Sequence, residues 1–307
     1  MADNMSSFTV VIDSNCDLPP GYVVEHDVEV MPMQFELDGT RHDQGYWQEI
    51  SGKDFYNALR NGGVATTSQI NPETFVAYFT EYAKQGKSAV FLLLSSGLSN
   101  TLNSAQIALH EIKEVYPDCD LYIIDTISAG VGHGLLAMMA VKMRDEGLSA
   151  CETAKRLEEK KHKCIGLFSV DDLMYLHRGG RLSRLSAVAG SILGVKPLLN
   201  LAPDGTLSLK DKARKKKGAI NMMVSQMKRS IDPDTTLDTV MVSHTDCHED
   251  AQILVNVVKE SVKVREVNNI LMGPVIGAHL GPGSLILVFE SNMTRAEYEA
   301  RFYGSKP

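Results

Sequence analysis

The chain has 307 residues, of which 44% are hydrophobic and 22% are charged, and its formal net charge is −7. This length favours two domains, and the composition is typical of a folded protein and not of a disordered one. The acidic balance argues against a protein that binds nucleic acid. No apolar run reaches the roughly 20 residues that a membrane-spanning helix needs, so we expect no transmembrane segment.

The N-terminus and the cysteines indicate a cytoplasmic protein. Residues 1–5 lack the basic and then apolar pattern of a signal peptide. The five cysteines are an odd number, are widely spaced and contain no C-x-x-C pair. Such spacing suits a reducing compartment, and it predicts neither a disulfide framework nor a zinc ribbon.

Over residues 1–165, short apolar runs alternate with helix signals. The helix signals are capping residues at Ser51, Asn71 and Ser149. The runs predict buried strands at 8–12, 88–94 and 121–124, and an edge strand at 28–37 that Pro32 interrupts. Asp38-Gly39 is a turn signal after that edge strand. The alternation predicts a parallel α/β sheet that forms an N-terminal domain.

Residues 166–307 have a different pattern and predict a second α/β domain. Asp204-Gly205 lies between two apolar segments and predicts a hairpin. A basic helix is expected to start near Lys212. Further strands are expected at 165–170, 239–242, 266–272 and 285–289, with a helix at 251–262.

Residues 273–283 are the most unusual segment of the chain. Four glycines and two prolines occur in eleven residues, and the only ionisable side chain among them is His279. Glycine permits positive φ and close approach, whereas proline fixes φ. The segment therefore predicts a shaped backbone that presents one imidazole, and a buried structural histidine is the simpler alternative.

Two hydroxyl-rich segments follow predicted strands of the first domain. One is the loop 66–69, which contains Thr67, and the other is Ser95-Ser96 at a transition from strand to helix. Hydroxyls and the free N–H groups of a helix start bind carboxylates and phosphates. The alternative for each segment is ordinary helix capping, in which serine and threonine are common.

Other motifs give weaker signals. There is no G-x-S-x-G elbow and no P-loop, and Gly130-x-Gly132-x-Gly134 misses the dinucleotide pattern by one residue, so close helix packing explains it better. Residues 244–250 contain several side-chain types that can bind a metal ion, but no further candidate ligands elsewhere in the sequence point to the same site. We therefore predict no bound metal. The basic run 210–217 is best explained as the solvent-exposed face of a helix. Arg178 and Arg181 are more specific candidates for contact with a phosphate or a partner.

Several of these segments together resemble one family, the DegV proteins, which bind fatty acids and serve as the lipid-carrying subunit of bacterial fatty acid kinase. The resemblance covers nearly the whole chain, although Asn100 and Asn71 depart from the family pattern. It is carried by Asp13-Ser14 with Asp17-Leu18-Pro19, by Thr67-Ser68-Gln69, by Ser95-Ser96-Gly97-Leu98-Ser99 with Thr101, by Gly180-Arg181-Leu182-Ser183, by Gly194-Val195-Lys196-Pro197 and by Gly273 to Gly283.

The resemblance implies a two-domain DegV-like α/β fold, with domains at 1–165 and 166–307 and a lipid site between them. It also implies a buried long-chain fatty acid whose carboxylate is held by Thr67, by Ser95 or Ser96 and by His279, with Ser96 favoured. The apolar segments 135–139 and 188–193 are candidates for lining the tunnel.

The resemblance further implies that the chain is a carrier and not an enzyme. A separate kinase would phosphorylate the bound acid to an acyl phosphate, and Arg178, Arg181 and the basic run would face that partner or its phosphates. No cofactor is expected, and lipid exchange would need only transient contact with a membrane surface. The alternatives are a serine hydrolase that uses Ser96 and His279, and a regulatory protein that binds nucleic acid through the basic run.

Overall fold

The computed structural model describes residues 8–43, 47–181 and 195–304, and its first sheet has four strands. Numbered along the chain, they are β1 (Thr9–Asp13), β2 (Val28–Met31), β6 (Ala89–Leu93) and β7 (Leu121–Asp125). Their order is β2-β1-β6-β7 and all three pairings are parallel. Side chains on both faces are buried, as parallel sheets require. The predicted parallel α/β sheet is confirmed.

Helices cover both faces of this sheet. α3 (Pro72–Gln85) and α4 (Thr101–Val115) pack on one face, and α5 (Val131–Asp145) and α6 (Ala150–Lys160) pack on the other. The short helix α1 (Tyr22–Glu25) precedes β2. Asn71 accepts a hydrogen bond from the N–H of Thr74 at 2.8 Å, and Ser149 forms a capping box with Glu152. The predicted starts of α3 and α6 are therefore confirmed.

Residues 28–37 form two strands in different sheets, so the predicted single strand is wrong. β2 ends at Met31, and Pro32, which has no N–H to donate, begins a connection out of the sheet. A small antiparallel sheet then forms in the order β4-β3-β5 from β3 (Phe35–Leu37), β4 (Thr40–His42) and β5 (Ala65–Thr67). The predicted turn between β3 and β4 is present, with φ of 50° at Asp38 and 81° at Gly39. Helix α2 (Gly52–Arg60), capped by Ser51, packs on this small sheet.

The second large sheet has six strands and is mostly antiparallel. Its order is β10-β9-β8-β13-β11-β12, and only β11 and β12 pair in parallel. The strands are β8 (Cys164–Ser169), β9 (Val195–Leu201), β10 (Leu207–Arg214), β11 (Leu237–His244), β12 (Val264–Leu271) and β13 (Leu285–Glu290). Helices α8 (Lys215–Arg229), α9 (His248–Ser261) and α11 (Arg295–Tyr303) share a hydrophobic core with its outer face. The predicted hairpin at Asp204-Gly205 joins β9 to β10.

The basic run does not start a helix near Lys212 as expected. Strand β10 continues through Arg214, because it pairs along its whole length with β9, and α8 begins only at Lys215. Lys210, Lys212 and Arg214 therefore belong to an edge strand. Charge alone does not distinguish an exposed strand from an exposed helix, and Ala213 is the only buried residue in the basic part of β10.

Two short helices complete the described elements, α7 (Met174–Arg178) and α10 (Pro274–Leu280). Within the described ranges, no helix is long and apolar enough to span a bilayer. The first large sheet ends at Asp125 and the second begins at Cys164. The domain division at residue 165 remains a prediction.

Helix α5 lies between the two large sheets. It packs on β1 and β6 of the first sheet and on β8, β11 and β13 of the second. The N-terminal turn of α5 lies very close to the backbone of Asp17. A Cβ atom added to Gly134 would be 2.2 Å from the carbonyl oxygen of Asp17. The glycines at 130–134 therefore serve close packing, as the sequence indicated, and not dinucleotide binding.

We expect Gly134→Ala to lower the free energy of unfolding by about 2 kcal/mol, because a backbone atom cannot move aside for the new methyl group. The matched control is Gly218→Ala in α8, where the added Cβ would meet only the Cβ of Ala213 at 3.4 Å. There the same substitution is expected to stabilise by up to about 1 kcal/mol through helix propensity. Urea denaturation measures both, and equal effects at the two sites would contradict the packing argument.

Candidate functional site

The glycine- and proline-rich segment folds as helix α10 followed by a tight turn. Pro274 occupies its first turn, and Gly281 and Gly283 adopt φ of 65° and 89° after its last residue. The ring of Tyr56 packs against Gly277, where an added Cβ would lie 2.4 Å from the hydroxyl oxygen. Small residues thus let α10 lie tightly against α2, and the shaped backbone expected from the sequence is present.

Thr67 and His279 are brought into direct contact. Thr67 is the last residue of β5 and His279 lies near the end of α10, and the threonine Oγ1 is 2.8 Å from the imidazole Nε2. The other side of the ring faces Gly179 at the end of α7, where an added Cβ would lie 2.3 Å from Nδ1. The imidazole is therefore held between a hydroxyl and a glycine backbone.

His279 is neutral at physiological pH. Burial, and then the positive charge of Arg181, lower the pKa of His279 to about 4. Its Nδ1 atom is buried without a hydrogen-bond partner among the described residues. A neutral imidazole carries one N–H and one lone pair, so this ring can donate one hydrogen bond and accept another.

A cavity lies between the first sheet, α10 and the inner face of the second sheet. It encloses about 870 Å³ of space between atoms, part of which is open to solvent. The part of this space that a water-sized sphere can enter is about 100 Å³, so a larger ligand requires the lining side chains to move apart. Most of its wall is apolar, and representative side chains are Leu94, Phe168, Leu201, Val275, Ile286 and Val288.

One end of the cavity is polar. Thr67 contributes from the end of β5, Ser68 and Gln69 from the connection after it, and Ser99 from the segment before α4, together with His279 and Arg181. Arg181 is half-buried, and its Nε donates to the carbonyl oxygen of Leu98 at 3.1 Å. A guanidinium stays charged in proteins, so this end of an otherwise apolar cavity carries a positive charge.

A second, outer cleft of about 570 Å³, partly open to solvent, lies on the other side of the same residues. Thr67, Arg181 and His279 line both the cavity and this cleft. Arg178 lines only the outer cleft, where it is exposed and stacks over the ring of Tyr175 at 5.4 Å. The three shared residues therefore form a thin polar partition, with an apolar cavity on one side and a basic cleft on the other.

Ser95 and Ser96 are not brought to this partition. The hydroxyl of Ser95 is buried and donates to the carbonyl oxygen of Gly205 at 2.9 Å, which ties the first sheet to the β9–β10 hairpin. The hydroxyl of Ser96 is exposed and donates to Asp125 at 2.5 Å. The described residues that line the cavity include Ser99, four positions after Ser95, and neither of the two predicted serines.

The structure places only one of the two segments, 135–139 and 188–193, that were expected to line the tunnel. Residues 188–193 lie outside the described residues. Leu135, Leu136 and Ala137 of α5 are packed into the core between the sheets, and Met138 and Met139 face a separate surface cleft. In this structure the cavity is lined by the sheet faces and α10, and not by the middle of α5.

The structure does not assemble the alternative sites. The hydroxyl of Ser96 faces Asp125 whereas the Nε2 atom of His279 meets Thr67, so no serine–histidine pair forms between them. In residues 244–250, Asp246 pairs with Arg60, and the N–H of Cys247 donates to the Nδ1 atom of His244 at 3.3 Å. Among the described residues, no cluster of three or more metal-ligating side chains forms.

Comparison with known proteins places the chain in a family. Residues 7–292 match the model of an uncharacterised protein family, DegV family COG1307. A DegV domain-containing protein of Clostridium perfringens is 38% identical over 286 residues, which cover 93% of this chain and 98% of the relative. A DegV domain-containing protein of Streptococcus pyogenes is 35% identical, covering 91% and 96% of the two chains.

Solved structures agree with this placement. DegV from Bacillus subtilis, described as a fatty acid binding protein, superposes with a TM-score of 0.79 at 29% identity, covering 94% of this chain and all of that one. A DegV lipid binding protein from Thermotoga maritima superposes with a TM-score of 0.81 at 28% identity, covering 94% and 99%. The mixed α/β architecture with two sheets is thus shared over nearly the whole length, and the chain belongs to the DegV family.

Proposed function

We propose that this chain binds a long-chain fatty acid, with its hydrocarbon tail in the cavity and its carboxylate at the polar end. The observation that carries the proposal is the shape of the site, an apolar cavity closed at one end by Thr67, His279 and Arg181. Family members of similar fold that are described as fatty acid binding proteins support the same ligand class.

The tail would supply most of the affinity. Burial of hydrocarbon is worth about 0.8 kcal/mol per methylene, so ~14 methylenes contribute roughly 11 kcal/mol before the costs of ordering the chain. The polar end has a different task. A carboxylate taken out of water must regain hydrogen bonds or lose its charge. Arg181 offers a positive charge, Thr67 a hydroxyl and neutral His279 an N–H.

Ser99 and Gln69 extend this set of hydrogen-bonding groups at the cavity wall. The predicted contacts of Ser95 and Ser96 with the carboxylate remain predictions, since each hydroxyl would first have to release its present partner, Gly205 or Asp125. We therefore favour Thr67, His279, Arg181 and Ser99 as the residues closest to the head group.

The outer cleft suggests how the bound acid would be used. We propose that a separate cytoplasmic kinase phosphorylates the carboxylate to an acyl phosphate while the tail stays buried, so that this chain is the carrier and not the catalyst. Arg178 and Arg181 would face the incoming phosphate or an acidic partner surface. Because Thr67, Arg181 and His279 line both the cavity and the cleft, we expect the head group to be within reach of the cleft while the tail stays buried.

The role of His279 is tested by His279→Ala. We expect the purified variant to retain extractable fatty acid, because the tail dominates affinity, but to lose at least ~90% of head-group phosphorylation by a fatty acid kinase with ATP. Mass spectrometry of the extracted lipid and the rate of acyl phosphate formation measure the two properties. His110→Ala, at an exposed histidine on α4, is the matched control. A wild-type protein that stays empty when offered fatty acids would refute the proposed ligand.

The tail end of the cavity is tested at Gly166. This residue lies on the cavity wall within β8, and an added Cβ would be 3.6 Å from Val288, an ordinary contact. Gly166→Leu is expected to fill space needed by the tail and to shift the bound lipid towards shorter chains by several methylenes. Gly166→Ala serves as the graded control and should shift the distribution little. An unchanged chain-length distribution in the leucine variant would place the tail elsewhere.

Charge reversal tests the outer cleft. Arg178→Glu is expected to leave lipid content unchanged, because Arg178 does not line the inner cavity, and to slow phosphorylation at least ~10-fold by repelling phosphate. Arg181→Glu should impair both properties. Lys228→Glu, at an exposed lysine in the last turn of α8, is the control for charge reversal as such. If Arg178→Glu is phosphorylated at the same rate as the Lys228→Glu control, Arg178 does not belong to the partner surface.

A further inference from the structure

Asp17, in the connection after β1, makes a contact that the proposed function does not yet use. Its side chain is 4% exposed, and its Oδ1 accepts a hydrogen bond from the backbone N–H of Gly273 at 2.8 Å. Its other oxygen, Oδ2, is buried without a hydrogen-bond partner among the described residues. Gly273 is the residue that immediately precedes α10. The first sheet therefore reaches across 256 positions of sequence to hold the start of the helix that carries His279.

Two glycines make room for this carboxyl group. A Cβ added to Gly273 would lie 2.6 Å from Oδ1, and one added to Gly130 would lie 3.3 Å from Oδ2. Gly130 precedes α5 in the same way that Gly273 precedes α10. The carboxyl group is thus seated between the starts of two helices.

The start of α10 is held from a second side as well. The hydroxyl of Tyr56 donates to the carbonyl oxygen of Met272 at 2.6 Å, directly before Gly273. Inside the helix, the N–H of Gly277 donates to the carbonyl oxygen of Gly273 at 2.8 Å. His279 follows about 9 Å further along the axis, at ~1.5 Å per residue. A displacement at Gly273 is therefore passed to the imidazole through one short rigid helix.

The acceptor oxygen of Asp17, and not its charge, is what the contact with Gly273 requires. Burial raises the pKa of Asp17 to about 7, although the Gly273 N–H opposes the shift. A carboxyl group whose pKa is raised on folding costs stability as pH rises from about 4 to about 7. Asparagine would accept the same hydrogen bond without that cost. The ionisable groups beside it, Cys16 and Tyr56, stay neutral at neutral pH because burial raises the pKa of each.

We propose that Asp17 is a positioning residue that holds the start of α10 and thereby keeps the imidazole of His279 against Thr67 at the head-group end of the cavity. The expected effect of Asp17 on ligand binding rests on the proposed function. Its expected effect on the imidazole of His279 does not. Asp17 touches no atom of the ligand. It acts through α10 alone, so its contribution disappears when His279 is absent.

The experiment measures binding of hexadecanoic acid to Asp17→Ala and Asp17→Asn, each alone and combined with His279→Ala. We expect Asp17→Ala to weaken binding about 10-fold in the wild-type background and less than about twofold in the His279→Ala background. Asp17→Asn keeps an acceptor oxygen and should restore most of the loss. Ser149→Ala removes the cap of α6 far from α10 and controls for a general loss of stability. Equal losses in both backgrounds would overturn the assignment.

Nitrogen NMR of the imidazole in the ligand-free protein tests the positioning separately. Asp17→Ala should shift the His279 Nε2 resonance towards that of a ring without its threonine partner, and Asp17→Asn should leave it near the wild-type value. If Asp17→Ala does not fold, Asp17→Ser takes its place, because the serine hydroxyl ends one bond short of the carboxyl oxygens and cannot make the same contact with the Gly273 N–H.

These readouts separate the two hypotheses. If wild type binds no hexadecanoic acid while the His279 signal depends on Asp17, the proposed function fails and the positioning role stands. A His279 signal that is identical in wild type and Asp17→Ala, or in wild type and Asp17→Ser where the alanine variant does not fold, would overturn the positioning role whatever the protein binds.

Discussion

Helix α5 joins the two large sheets because it is packed between them. Ten of the fifteen residues of α5 are buried, and they include all seven of residues 131–137. The helix packs on the first sheet on one side and on the second sheet on the other, and leaving this apolar surface in water would cost free energy. The cavity lies beside this helix, in the part of the interface that α5 does not fill. The cavity thus arises where α10, and not α5, lies beside the two sheet faces.

The polar partition shows how a small number of groups can define the end of a large apolar space. Neutral His279 has one N–H, and its Nε2 lies 2.8 Å from the Thr67 hydroxyl, where either group can be the donor. The permanent charge comes from Arg181, which is itself held by backbone carbonyls of Leu98 and Gly179. The two side chains therefore have different roles. The Arg181 guanidinium supplies a charge that does not titrate, and the His279 imidazole supplies a hydrogen-bonding group with a fixed orientation.

Much of the architecture follows from local signals. The caps at Asn71 and Ser149, the Asp38-Gly39 turn and the apolar runs of the first sheet predict their elements correctly, because each is decided by a few neighbouring residues. The wrong predictions occur where a strand distant in the sequence determines the secondary structure of a segment. Residues 35–37 join a sheet completed by β5, and Lys212 joins a strand because β9 lies beside it.

The same distinction applies to the site. Thr67 and His279 are 212 residues apart, and neither periodicity nor spacing predicts their contact. Their residue types and the family resemblance indicated a shared anion. Ser99 was missed although it lies in the same hydroxyl-rich segment as Ser95, because the direction of each serine depends on the irregular backbone before α4. Asp17 was noted only as part of a motif, since its partner Gly273 lies in another part of the fold.

The small sheet that carries Thr67 has a consequence for cooperativity. Three strands of three residues each and one helix bury too little surface to fold alone, and the core that they share includes Ala278 of α10. The sheet, α10 and any molecule that bridges Thr67 and His279 are therefore thermodynamically linked. Occupancy of the cavity would suppress local opening of residues 35–42 and 52–67, and a chain that opens there would release a bound molecule without unfolding either large sheet.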